Sequence, residues 1–316
     1  MRYRLYLIIV LFSLLGSRNG GAVEFLTLTE PNAGGGSTIA SGINDAGTVA
    51  GSYVDVAGVT HGFTYSLTGQ TYSSINVPDA AATTVTGVSA DGTVVGYEQT
   101  ASGNHGFIVT DGSFTTNINF PGTTGNTYAS GINAAGTLVG YYYNLTTSGF
   151  KESNGTFTNL KDPNSVNVTA ALGINATGAI VGYYLNGSGI QNGFVLTESG
   201  YTTVNDPLGV YGTVATGIDN NGDIVGSYVD SAGHVNGFID SQGVFRTIDN
   251  PNAPVFTEIL GINNEYQVVG DYIGADGITY GFVANVPEPG TLSLLAAALF
   301  GIPLARWLGR ARYKAR

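Results

Sequence analysis

The sequence predicts an all-β protein, a closed six-bladed β-propeller with four short strands in each blade. Three observations carry this reading. The tripeptide Gly-Ile-Asn, or a close variant, recurs with its glycine at 42, 87, 131, 173, 217 and 261. A Gly-Phe pair recurs with its glycine at 62, 106, 149, 193, 237 and 281. The last copy also lacks a strand, and a matching strand stands at the start of the chain. Both glycine series step by 42 to 45 residues, and a fixed period of that size marks a repeat architecture.

One copy shows the elements in order: "GTVATGIDNNGDIVGSYVDSAGHVNGFIDSQGVFRTIDNPNA", residues 212–253. "TVATGI" is rich in β-branched residues and reads as strand one. "DNNG" supplies turn residues that tolerate positive φ. "DIVGSYV" is strand two, "DSAGH" a looser turn, "NGFID" strand three, "SQG" another turn and "VFRTID" strand four. In "NPNA" the proline has no N–H to donate and ends the pairing. Four strands in about 44 residues fit a propeller blade.

The sixth copy stops at Asn285 after three strands. "EFLTLTEPNA" at residues 24–33 matches "VFRTIDNPNA" at residues 244–253, with Phe-x-Thr followed by Pro-Asn-Ala. The N-terminal segment is therefore expected to complete the last blade, because an open sheet edge is a pairing hazard. The recurring Phe63, Phe107, Phe150, Phe194, Phe238 and Phe282 are expected in the core between blades. The glycine before each would allow close sheet approach. Small residues in strand one suit a crowded inner strand around a narrow channel.

Composition narrows the function. The 316 residues are 43% hydrophobic and 10% charged, with 48 Gly and no Cys, so disulfides and thiolate metal sites are excluded. Eight of the eleven Lys and Arg lie near the chain ends. Residues 24–285 hold only Lys151, Lys161 and Arg246 against 21 acids, a net charge of −18. Such a surface repels phosphate backbones, and no nucleic-acid partner is expected.

The two ends read as addresses. Two arginines precede the apolar run at residues 5–15, and small residues follow, with Gly20 and Ala22 at signal-peptidase spacing. Residues 1–22 are thus expected to be a signal peptide cut by signal peptidase after Ala22. Residues 286–316 begin with Val286, Pro287, Glu288 and Pro289. Sixteen uncharged residues follow, a transmembrane helix in expectation, then a basic tail in which Arg306, Arg310 and Arg312 would act as a membrane stop.

This C-terminal end, with its Pro-Glu-Pro, apolar run and Arg cluster in that order, resembles the PEP-CTERM sorting signal of Gram-negative bacteria. The resemblance implies processing by an exosortase-type enzyme linked to extracellular polysaccharide production. The repeats resemble HAF-type extracellular repeats at Gly42–Asn44, Val95–Gly96, His61–Phe63 and His105–Phe107. They depart from that pattern in carrying Gly where the family usually has Ala, and in keeping His in two triplets only. The resemblance implies an exported repeat protein and assigns no biochemical activity.

No catalytic or cofactor-binding residue is singled out. "NDAG", "SADG", "DNNG" and "GADG" invite a structural-calcium reading, but none shows the alternating acidic spacing of a calcium loop. Turn chemistry accounts for them. His61, His105 and His234 fall in different copies and read as polar strand-end residues. The expectation is an exported, non-catalytic binding or structural module of the cell envelope or extracellular matrix. It would be anchored transiently in the inner membrane, with extracellular polysaccharide a candidate partner. The alternative is a propeller hydrolase or lyase acting on polysaccharide. Acids converging at one channel mouth with perturbed pKa values would favour an active site.

Overall fold

The computed structural model describes residues 22–123 and 126–288. The signal segment before Ala22, and Pro289 with the apolar run and Arg306, Arg310 and Arg312, lie outside the described residues. Among the described residues no helix is long and apolar enough to cross a membrane. The chain there forms twenty-four strands and one 3-10 turn, Pro31–Ala33. The architecture is an all-β propeller, and its compact unit runs from Val23 to Val286.

Each repeat supplies antiparallel strands paired in sequence order, as in Thr38–Ile43, Thr48–Val54, Thr60–Ser66 and Thr71–Ile75. Closure follows the sequence reading. The first strand, Glu24–Leu28, pairs with the last, Thr279–Asn285, in the register Glu24↔Asn285 to Leu28↔Gly281.

The expected six separate blades are corrected in one respect. Hydrogen bonding gives four sheets of four strands and one of eight, so only four blades stand as separate sheets. The fourth and fifth repeats are joined by a single parallel pair, Gln191↔Gly212. The same contact occurs as the isolated bridges Thr147↔Val168 and Val235↔Phe256 at the flanking junctions. Strand one of the fifth repeat begins at Gly212, one residue earlier than in the fourth and sixth repeats, and so brings the bridge inside the sheet.

Burial explains the recurring phenylalanines. All six are fully buried. Phe107 packs with Ala50 and Val77 of the preceding repeat, and Phe194 with Val139 and Leu160. Each thus fills a junction between repeats. The glycine before the phenylalanine is needed there: a Cβ on Gly62 would lie 2.5 Å from Val85, and one on Gly237 2.8 Å from Ile259. Around the axis, a Cβ on Gly42 would meet the Cα of Gly87 at 3.0 Å, and one on Gly261 the Cα of Gly42 at 3.2 Å. The Gly-Ile-Asn glycines therefore pinch the channel.

The asparagine of that motif ties repeats together. Asn44 Nδ2 donates to the Ser89 carbonyl, Asn133 to Asn175, Asn175 to Asp219 and Asn263 to Asn44. Its Oδ1 meanwhile accepts N–H groups of its own turn, as from Thr48. Asn is replaced in two repeats, by Ser89 and Asp219. In those repeats Thr stands three residues earlier, and Thr86 Oγ1 donates to the Ala129 carbonyl, Thr216 Oγ1 to Ile259. Every junction therefore has one side chain bonded to the next repeat's backbone.

A second ladder recurs at the start of strand one. Thr38, Thr83, Thr127, Thr169, Thr213 and Thr257 each accept, through Oγ1, the N–H of the residue before the linker proline. The pre-proline residue is sterically biased toward extended backbone. The threonine satisfies the donor that this leaves buried.

Candidate functional site

The strand directions give the propeller two unlike faces. The turn face carries the strand one–two and three–four turns and the asparagine ties. Both ends of the compact unit leave from it, since Glu24 pairs with Asn285. The linker face carries the two–three turns and the proline linkers. Nine of the twelve large hydrophobics exposed among the described residues lie at the linker face, Leu145, Val166, Leu208 and Tyr211 among them.

A cavity of about 350 Å³ opens on the linker face. Its rim includes Gln191, Val229, Val235 and Phe256, and its wall Tyr183, Val214, Ser227 and Glu258. Leu172, Thr216 and Leu260 form the floor, one residue above the glycine constriction. Below that lies a narrow space of about 80 Å³ lined by the Gly-Ile pairs of five repeats, by Gly87 and Val88 of the second, and by the residue before each glycine. The cavity thus narrows like a cup toward the glycine constriction.

Repeat symmetry breaks in its wall. The residue after the strand-one threonine is Ile39, Thr84, Tyr128, Ala170, Val214 and then Glu258. The residue after the strand-two glycine is Ser52, Tyr97, Tyr141, Tyr183, Ser227 and then Asp271. Glu258 and Asp271 are direct cross-strand partners, which places their Cβ atoms roughly 4.5–5.5 Å apart. Asp271 is 5% exposed. Burial, and then the neighbouring Glu258, push its carboxyl up to about 8. Burial raises Glu258 as well, against the Ser227 hydroxyl, which donates to Glu258 Oε1 at 3.4 Å.

Tyrosines occupy the corresponding positions in the second, third and fourth repeats. Tyr128 stacks on Tyr141 at 4.8 Å and meets Tyr97 edge-on at 5.0 Å. Burial raises both Tyr141 and Tyr183, and Tyr183 carries the tyrosine wall into the cavity. Neither Lys151, Lys161 nor Arg246 lines the cavity, and no basic group acts on Glu258 or Asp271.

The residues considered from sequence lie elsewhere. His61 sits between Asn76 and Asp55, His105 between Ser102 and Asn119, and His234 lies 3.6 Å from Asp230. These are separate polar caps of the two–three turns. The turn acids accept backbone N–H bonds, Asp91 from Thr93, Asp219 from Asn221 and Asp223, and Asp276 from Ile278. Among the described residues no three His, Asp or Glu side chains come together to hold a metal ion.

Val286 belongs to the propeller by packing. It is buried with Ile239 and Phe282, and its N–H donates to the Tyr266 carbonyl at 2.9 Å. Tyr266 holds φ +57°, the left-handed turn position that Gly47 and Gly222 fill in other repeats. Ala22 is exposed just before the first strand.

The Glu258–Asp271 pair was missed because the sequence reading followed columns that repeat. Its signal lies in the two columns that do not, where a single copy carries acids.

The sequence matches no family model and no curated protein. Solved structures do resemble the chain. A gluconolactonase from Xanthomonas campestris aligns with a TM-score of 0.54 at 13% identity, over 85% of this chain and 92% of that one. TolB from Acinetobacter baumannii aligns with a TM-score of 0.53 at 9% identity, over 75% of this chain and 63% of that one. The chain thus spans under two thirds of that TolB. At such identities the likeness is one of fold, which is the class of protein these comparisons define.

Proposed function

We propose that this is an exported, non-catalytic propeller of the cell envelope or extracellular matrix that binds a saccharide in the linker-face cup. The observation that carries the reading is an acid, Glu258, in the wall of a cavity of about 350 Å³, with a second acid, Asp271, as its cross-strand partner, where the other five repeats carry an acid at neither position. A cup of this size, mostly apolar with a few convergent polar groups, has the make-up of a ligand site. The exposed hydrophobics of the same face would serve the apolar faces of sugar rings. On this reading the repeats count as six blades, the fused pair being two blades bridged at Gln191 and Gly212.

Export and sorting belong to the same proposal. Signal peptidase would cut after Ala22, and an exosortase-type enzyme would act near Pro287, Glu288 and Pro289. Arg306, Arg310 and Arg312 would hold the chain in the inner membrane meanwhile. The alternative, a hydrolase or lyase acting on polysaccharide, is favoured by the paired acids, and a gluconolactonase shares the fold. Against it, the burial that raises both acids disfavours a free carboxylate at neutral pH.

Saturation-transfer NMR with extracellular polysaccharide fragments, followed by chromatography of the same fragments, tests both readings. Saturation transfer lost on Tyr183→Ala with the fragments intact supports binding. Shortened or unsaturated fragments support the enzyme. No transfer to any fragment overturns the saccharide reading.

A further inference from the structure

The geometry points to an alkylammonium group as the part of the ligand that Glu258 and Asp271 receive, which on the saccharide reading means a sugar with a free amine. The inference rests on that reading for the sugar and on the cup alone for the amine. No N–H or O–H of the described residues donates to the Asp271 carboxyl, although the side chain is 95% buried. The Ser227 hydroxyl serves one oxygen of Glu258. A buried carboxyl pair needs a partner to ionise, and no cation of the described chain is near. An ammonium supplies the missing charge and three N–H donors at once.

The opposite wall suits the same group. Tyr183, backed by Tyr141, Tyr128 and Tyr97, presents aromatic surface, whose negative faces attract cations. Only three basic residues stand against 21 acids in residues 24–285, so the long-range field also draws cations in. An N-acetylated amine has no charge and keeps only one of the three N–H donors.

Proton balance gives the site a signature. At neutral pH the pair retains a proton, because burial and mutual repulsion raise both acids. When R–NH₃⁺ enters, the carboxyl releases that proton to the buffer and the ion pair forms. No bond in the ligand is made or broken. The cup wall offers the bound amine Glu258 of the sixth repeat, Ser227 of the fifth and Tyr183 of the fourth, with Asp271 beside Glu258 as its cross-strand partner.

Isothermal titration of the purified protein with glucosamine, N-acetylglucosamine and butylamine, each in two buffers of different ionisation enthalpy, tests this. Glucosamine should bind at least tenfold more tightly than N-acetylglucosamine and release close to one proton per ligand at pH 7. Glu258→Gln and Asp271→Asn should each cut affinity at least tenfold and abolish proton release, with a melting temperature equal to or above the parent's. Butylamine binding as well as glucosamine, with no sugar preferred, upholds the amine site and removes the saccharide reading. Equal binding of the acetylated sugar, or binding indifferent to both substitutions, overturns the amine inference and leaves the saccharide reading standing. No binding by any of the three overturns the inference.

Discussion

The two faces of the propeller are built from the same repeats and have different chemistry. At the turn face and the glycine constriction every junction carries a side-chain-to-backbone bond, and where Asn is missing a Thr replaces its tie. At the linker face the corresponding columns diverge to Ile, Thr, Tyr, Ala, Val and Glu. Uniform bonding marks what the ring needs to close. Divergence around a cavity marks what the ring is free to use for recognition.

The largest effect should come from breaking closure itself. Removing residues 24–30 takes away the outer strand of the last sheet, including Leu28 and the Phe25–Phe282 contact at 5.4 Å. The loss should exceed about 5 kcal/mol, comparable to the whole stability of an ordinary domain. Size-exclusion chromatography should show aggregate, and circular dichroism no cooperative melt at the parent temperature.

Next comes a junction core. Phe194→Ala leaves a cavity between the third and fourth repeats and should cost about 3–5 kcal/mol in denaturant unfolding. The turn-face ties come third. Asn133→Asp keeps the turn acceptor but loses the donor to the Asn175 carbonyl, and should cost about 1–3 kcal/mol. Thr86→Val should cost a similar amount, and adding Ser89→Asn to it should restore most of the loss. Failure of that rescue would show that the Asn and Thr ties are not equivalent.

The linker face should show in the pH dependence. The raised acids, Asp271 first, bind protons in the folded state that the unfolded chain has already lost. Stability should therefore fall as pH rises from about 4, the ordinary carboxyl pKa, to about 8. The lowered turn acids act oppositely. Backbone N–H bonds lead in Asp55 and Asp230, and the side chains of Ser89 and Tyr280 in Asp91 and Asp276. Their contribution is present above the unfolded pKa and is lost as pH falls below it. Thermal melts should peak between these windows, and Asp271→Asn should flatten the upper one.

Much of the fold was legible because it depends on local chemistry repeated at a fixed spacing. Gly47 and Gly222 announce turns, Pro31 and Pro251 end strands, and the stray "FLT" of residues 25–27 declares closure. The fused sheet was not legible, since it turns on the single pair Gln191↔Gly212. The strand-one threonines were passed over because a hydroxyl that accepts a pre-proline N–H looks the same as any β-branched strand residue. The cup was not legible either: Glu258 and Asp271 lie thirteen residues apart, and only strand pairing brings them together. Val286, the first residue of the Val-Pro-Glu-Pro run, also packs in the propeller core, a contact that the run itself does not announce.

Carbon-13 NMR titration of the Asp271 carboxyl, identified by its absence in Asp271→Asn, tests the central claim most directly. The account predicts a midpoint near 8 in the free protein, moving down by more than one pH unit when glucosamine is present. A midpoint near 4, the ordinary carboxyl value, unmoved by glucosamine, would contradict it.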